Sequence, residues 1–232
     1  MEQYVEMYEW LTFALVWIAI WLVFYYEKPF LRRQMLWVSL ISSFTGLLEP
    51  LFIPSYWNPP SLFNLNSTAH LDIESIIFSF GTGGIASVLY EAARNVKHRK
   101  VTREEITEKR WFHLLSIVAG PVVFVLLLLL TSWNPIYCLT ISLFAGSAAA
   151  VACRPDLARN TLLGGILFAG LYFFFFGFVS SMFPSFVVYW NLPALSGVVV
   201  LGFVPVEELI YAFAYGMLWS GVYEHIKHYV LH

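Results

Sequence analysis

Seven stretches of about 20 predominantly apolar residues dominate the chain, at 4–26, 34–54, 72–94, 111–131, 135–153, 160–183 and 204–226. A helix of that length spans the roughly 30 Å of hydrocarbon in a bilayer. The breaks between them hold Pro, Asn or charge clusters, which sit badly in lipid-exposed helix. Of the 232 residues 59% are hydrophobic and only 12% charged. A water-soluble domain cannot hide that much apolar surface in one core. Soluble globular enzyme, disordered segment and nucleic-acid binder are therefore excluded, and the lipid bilayer is the expected solvent.

The basic residues set an orientation. All 13 Lys and Arg fall in alternate connections or the tail: Lys28, Arg32 and Arg33; Arg94 to Arg110; Arg154 and Arg159; and Lys227. Positive charge accumulates on the cytoplasmic side, so the expectation is an outside N-terminus, a cytoplasmic C-terminus and multi-pass insertion in the plasma (cytoplasmic) membrane. Met1 is followed by Glu2, Glu6 and Glu9 instead of a basic stretch, so no removable signal peptide is expected. Cys138 and Cys153 lie about 22 Å apart on one expected helix at 1.5 Å per residue, too far to pair.

An internal echo is also legible. Tyr56-Trp57-Asn58 recurs as Tyr189-Trp190-Asn191, and the same offset aligns Pro60 with Pro193, Glu74 with Glu207, Gly83 with Gly216, Ser87 with Ser220 and Glu91 with Glu224. Twelve of 36 positions agree, against the two or three that composition alone would give. The expected architecture is all-α and polytopic, seven transmembrane helices in a 3+1+3 internally duplicated, rhodopsin-like bundle. Its parts are a first three-helix repeat at 1–94, a basic cytoplasmic loop with linker helix at 95–131, and a second repeat at 132–232. The small pairs Gly83/Ser87 and Gly216/Ser220 suit close helix approach.

Carboxylates in membrane segments are costly and therefore candidates for function. Glu49 precedes Pro50 in the second stretch, Glu74 opens the third, and Glu207 and Glu208 open the seventh. Acids at a helix start also serve simply as caps and dipole partners, so spacing alone leaves both roles open for Glu74, Glu207 and Glu208. Several carboxyls crowded in an apolar site cannot all ionise, and at least one then holds a proton facing hydrocarbon. Competing chemistries fit poorly. Gly81-Thr82-Gly83-Gly84 lies inside a helix and is no nucleotide loop. The six histidines show no paired metal-ligand spacing within a span, so no metal is expected. No Ser or Cys sits in a nucleophile motif. Retinal would need a lysine within the seventh stretch, where only Lys227 stands, at its end.

The pair Pro205-Val206-Glu207-Glu208 and Asp72-Ile73-Glu74-Ser75, each after an aromatic-rich loop, resembles the membrane-integral lycopene cyclases, the heterodimeric bacterial kind and their fused single-chain relatives. The second copy carries the full Pro-x-Glu-Glu motif, while the first keeps only the glutamate. Tyr56-Trp57-Asn58-Pro59-Pro60 and Phe78-x-Phe80 add to the likeness. The resemblance implies a redox-neutral, intramolecular lyase or isomerase reaction without cofactor. A carboxylic acid protonates the end double bond of lycopene or a related linear carotenoid, the cation cyclises, and a base removes a proton. Glu207 and Glu208 would be acid and base, with Glu74 and Glu49 completing the catalytic set.

Aromatic faces stabilise cations, so Tyr56, Trp57, Phe78, Tyr189, Trp190 and Tyr211 are the expected substrate-binding side chains. A carotenoid or other isoprenoid lipid arriving from the bilayer is the expected substrate, and enzymes of carotenoid biosynthesis are the expected partners. Two other readings use the same features. One is a membrane protein that binds an isoprenoid without catalysis. The other is a small transporter, for which Glu49 would be the carboxylate of interest.

Overall fold

The computed structural model describes residues 2–62, 65, 72–100 and 110–231, and seven α-helices are seen among them. These are α1 (Glu2–Glu27), α2 (Arg32–Ser43), α3 (Ile73–Arg94), α4 (Arg110–Leu130), α5 (Pro135–Cys153), α6 (Ala158–Met182) and α7 (Val206–Lys227). Two short antiparallel pairs accompany them: β1 (His98–Lys100) with β4 (Tyr229–Leu231), and β2 (Val199–Val200) with β3 (Val204–Pro205). His70, Arg103 and Lys109 lie outside the described residues, as does most of the basic connection at 95–110.

Five helical segments are long and apolar enough to cross a membrane: Tyr8–Glu27, Ile73–Arg94, Trp111–Leu130, Pro135–Cys153 and Pro155–Met182. The chain is thus an all-α, multi-pass membrane protein, but the expected seven-helix, 3+1+3 duplicated, rhodopsin-like bundle is not what it forms. The second apolar stretch fails first. Helix α2 runs for only 12 residues, about 18 Å of rise, and gives way to a 3-10 segment at Phe44–Leu51. The cause is local. Ser42, Ser43 and Thr45 turn their hydroxyls back onto the carbonyls of Ser39, Leu40 and Ser42, which tightens and bends a helix. Pro50 then removes a backbone donor. The stretch expected to mirror it, α6, instead continues unbroken for 25 residues. The seventh stretch, α7, has the length but not the hydropathy, since Glu207, Glu208, Glu224, His225 and Lys227 share it with three tyrosines.

The chain divides into two compact units, Met1–Ile85 with Tyr172–Glu208, and Ala86–Leu171 with Leu209–His232. The first is built on aromatic rings. Trp10, Phe13, Trp17 and Trp21 recur at spacings of three and four, which puts them on one face of α1, and all four are buried. That face meets Tyr172, Phe175 and Phe176 of α6, with Phe13 and Trp17 each about one ring's width (4.5 and 4.4 Å) from Phe175. Phe174 and Phe178, on the other side of α6, are exposed. The 3-10 segment packs tightly here as well. A Cβ on Gly46 would lie 2.7 Å from the backbone of Ile76 at the start of α3.

The second unit is held by small residues. Gly120 of α4 and Gly146 of α5 face each other, while Gly164 and Gly165 of α6 receive Ser220, Met217 and Phe213 of α7. The Gly216–Ser220 face therefore has α6 as its partner, and the Asn160 side chain donates to the Ser220 carbonyl at 2.7 Å. Close approach of this kind gives van der Waals contact in a medium that supplies no hydrophobic drive between helices. Helix α4 leaves most of its leucines and valines exposed, Leu129 and Leu130 most of all, as a lipid-facing helix does.

Two substitutions separate these effects. Gly46→Ala forces backbone against backbone and is expected to cost about 1–3 kcal/mol, lowering the thermal midpoint of the detergent-solubilised protein. Gly170→Ala, where a Cβ meets nothing within 4 Å, is expected to leave it unchanged or slightly raised.

Candidate functional site

The site of the first unit begins with a backbone pairing. The two Tyr-Trp-Asn tripeptides lie antiparallel, with Trp57 opposite Trp190. The Asn58 amide donates to the Tyr189 carbonyl and the Asn191 amide to the Tyr56 carbonyl, both at 2.8 Å. This places four aromatic side chains together, and each turns its polar edge to an acid. The Tyr56 hydroxyl and the Trp190 indole donate to Glu208 Oε1, the latter at 3.0 Å. Trp57 donates to Glu49 Oε1 at 2.5 Å, and Tyr189 donates to Glu9 Oε2 at 2.8 Å.

Glu208 has a third donor, the Tyr172 hydroxyl of α6, 2.8 Å from Oε2. The Trp190 indole can only donate, while the two tyrosine hydroxyls can also accept, so the pocket holds Glu208 either as a carboxylate or with a proton. Around it the other carboxyls form a row. Asp72 feels the charge of Glu74, Glu49 that of Asp72 and of Glu208, and Glu208 that of Glu207. Asp72, Glu74, Glu207 and Glu208 are all buried and Glu49 is half-buried. Like charges this close in a poorly hydrated region oppose one another's ionisation.

The helix starts hold this row in place. Asp72 precedes α3 and accepts the Ser75 amide at 3.1 Å, the bond of an N-cap, while also accepting the Trp10 indole at 3.2–3.3 Å. Glu74 reaches outward to the Leu62 amide and Glu207 to the Ser196 amide, each at 2.7 Å. Both glutamates thus pin the loop that precedes their own helix. Capping and clustering turn out to be the same arrangement.

Of the residues singled out from the sequence, Glu49, Glu74, Glu207, Glu208, Tyr56, Trp57, Phe78, Tyr189 and Trp190 all belong to this unit. Phe78 packs against Trp10, Phe13 and Tyr172. Tyr211 belongs to the second unit, its ring 5.5 Å from that of Tyr215. Sequence reasoning missed three participants. Tyr172 sits in the run Tyr172-Phe173-Phe174-Phe175-Phe176, where its hydroxyl was the one polar signal. Trp10 and Glu9 lie in the first apolar stretch, where the acid was read only as a missing basic charge.

The rings make a wall beside the acids. Trp10 and Trp57 meet edge to face at 4.5 Å, Trp57 and Trp190 lie at 5.3 Å, and Phe176 and Phe186 close on Trp190 at 5.6 and 5.5 Å. Proton donors and acceptors set against aromatic faces can transfer a proton to and from an apolar molecule and stabilise a cation between the two steps.

Residues 134–226 match the family model described as lycopene cyclase. The matched stretch runs from the cap of α5 through α7 and includes Tyr172, Tyr189, Trp190, Glu207 and Glu208. Over that stretch the chain is similar to the family. No curated protein and no solved structure matches the chain.

The second unit has ionisable clusters of its own. Glu91 and Glu224, both fully buried, gather with His98, whose Nε2 stands 2.5 Å from Glu224 Oε1. Burial holds the His98 imidazole below its ordinary pKa, against the opposing pull of Glu91.

Asp72→Ala removes the α3 cap, worth about 1 kcal/mol, and strands a buried indole N–H at about 1–3 kcal/mol. The expected loss is about 2–4 kcal/mol, read as a lower thermal midpoint by circular dichroism in detergent. Asp72→Asn keeps an oxygen for the cap and is expected to lose clearly less.

Proposed function

We propose that the chain is a membrane-integral carotenoid cyclase of the lycopene type, a redox-neutral intramolecular lyase acting on the linear end group of lycopene or a related isoprenoid. The observation that carries this reading is the buried row of carboxyls lined by Tyr56, Trp57 and Trp190, together with the family match over the segment that holds Glu207 and Glu208. Protonating an alkene needs an undissociated acid shielded from water, and the cation that follows needs walls without nucleophiles.

Glu207 and Glu208 act as the acid–base pair, and Glu49 and Glu74 complete the catalytic set. Glu208, with three hydrogen-bond partners on its two oxygens, takes the base role and gains a proton in the last step. An acid of the same row gives its proton to the terminal double bond. The ring closes on the resulting cation, and loss of a proton to the base leaves the new double bond. Substrate and product are isomers, so nothing is oxidised or reduced. The proton returns from Glu208 to the donor, Glu207, its neighbour in the row, with Glu49, Asp72 and Glu74 completing the set of acids beside them. Tyr56, Trp57, Phe78, Tyr189 and Trp190 bind the polyene end. Carotenoid-pathway enzymes are the fitting partners, since both substrate and product stay in the lipid.

The C-terminal tail and the basic connections face the cytoplasm in this proposal, and the N-terminus, with acids and no Lys or Arg, faces out. Pairing of His98–Lys100 with Tyr229–Leu231, and the bond from Arg154 to the Tyr229 carbonyl, support a shared side for the tail and those connections.

Expression in a cell that accumulates lycopene is expected to shift its pigment from acyclic to cyclic carotenoid. Unchanged pigment with folded protein that co-purifies with carotenoid would establish a binder instead. Glu208→Gln is expected to abolish conversion with expression intact. Tyr172→Phe removes one donor to the same carboxyl and is expected to slow turnover about 10–100-fold, the equivalent of one charge-assisted hydrogen bond.

A further inference from the structure

The second unit brings together three soft or borderline metal ligands from three separate helices. His113 comes from the first turn of α4, Cys153 is the last residue of α5, and His225 stands near the end of α7. One donor atom from each lies within 4.8 Å of the others, and His113 Nδ1 is 4.0 Å from Cys153 Sγ. Cys153 and His225 are buried. Zinc bonds of about 2.0–2.1 Å to nitrogen and 2.3 Å to sulfur set tetrahedral ligands some 3.3–3.8 Å apart. To reach that spacing the atoms close by up to about 1 Å, and the stacked His113 and His225 rings turn so that their lone pairs meet.

Hydrogen bonding to Ser116 favours one nitrogen of His225 as the ligand. The Ser116 hydroxyl has a single proton and donates it to the His113 carbonyl at 2.8 Å. Its oxygen is also 2.9 Å from His225 Nε2. Both contacts are satisfied together when the serine proton goes to the carbonyl and His225 Nε2 carries its own hydrogen. His225 Nδ1 then bears the lone pair, and it is buried with no hydrogen-bond partner among the described residues. A histidine whose second nitrogen donates to a fixed oxygen while the first stays bare is the arrangement that orients metal-binding imidazoles. The His113 ring stacks between those of His225 and His228, at 4.4 and 4.7 Å. The Arg154 guanidinium is engaged by both oxygens of Asp156.

We propose that His113, Cys153 and His225 form a binding site for a zinc-class divalent transition metal, structurally independent of the acid row of the first unit. One sulfur and two nitrogens favour zinc or its analogues over calcium or magnesium, which take oxygen. Binding releases the Cys153 thiol proton to solvent and leaves a fourth position to water or to His228. The site ties the ends of α4, α5 and α7 together.

The test is cobalt(II) titration of the full chain in detergent. The expected result is one cobalt per chain, the intense visible bands of a tetrahedral centre and a thiolate-to-cobalt charge-transfer band in the near ultraviolet. Cys153→Ala is expected to remove the charge-transfer band and weaken binding more than tenfold, whereas Cys138→Ala, at the only other cysteine, leaves both intact. Ser116→Ala is expected to weaken binding about 10–100-fold while keeping the band. Absence of stoichiometric cobalt, or a charge-transfer band that survives Cys153→Ala, overturns the proposal. X-ray absorption of the zinc-loaded native chain decides the matter even if a variant fails to fold. One sulfur at about 2.3 Å supports the site, and a shell of oxygen and nitrogen alone refutes it.

Discussion

The first unit depends on one exchange of hydrogen bonds, the reciprocal pairing of Tyr56-Trp57-Asn58 with Tyr189-Trp190-Asn191. Two amide-to-carbonyl bonds fix the register, and the register determines where four aromatic edges point. Each edge then binds a carboxyl: Tyr56 and Trp190 hold Glu208, Trp57 holds Glu49, and Tyr189 holds Glu9. Buried acids are tolerable only when such donors are supplied. The same rings that satisfy the acids at their edges present apolar faces elsewhere, so one set of side chains meets the electrostatic demand and shapes the surface beside it.

Much of this arrangement could be read from the chain alone, because its signals were local. Glu74 and Glu207 stand out as acids at the starts of apolar runs, and the tripeptide echo drew attention to the loops that turned out to pair. What could not be read was anything that depended on a competition between weak local forces. The count of seven spans failed at α2, where the hydroxyls of Ser42, Ser43 and Thr45 outbid the regular ladder for backbone carbonyls. An average over twenty residues does not register that contest. It failed again at α7, whose buried acids and tyrosines are tolerated by packing that no composition reveals. Tyr172 was hidden for the opposite reason, since a phenol among phenylalanines looks like one more ring until its hydroxyl is seen to reach Glu208.

The two units also solve the burial of polar groups in different chemical terms. In the first, oxygen acids meet hydroxyl and indole donors. In the second, imidazoles and a thiol gather at helix ends, with Ser116 deciding which nitrogen is bare. That gathering was invisible to any search for ligand spacing within one segment, because His113, Cys153 and His225 are 40 and 72 positions apart along the chain. The close approach at Gly146 of α5, which meets Gly120 of α4 and Leu218 of α7, helps bring such distant positions within reach.

The crossed tripeptides impose a rule on how this protein can vary. Because Glu208 is gripped from both loops at once, a change in either loop alters the setting of an acid that the other loop also defends. Sequence drift at 56–58 and at 189–191 should therefore be correlated, with a change on one side accepted mainly when the opposite side changes to suit it.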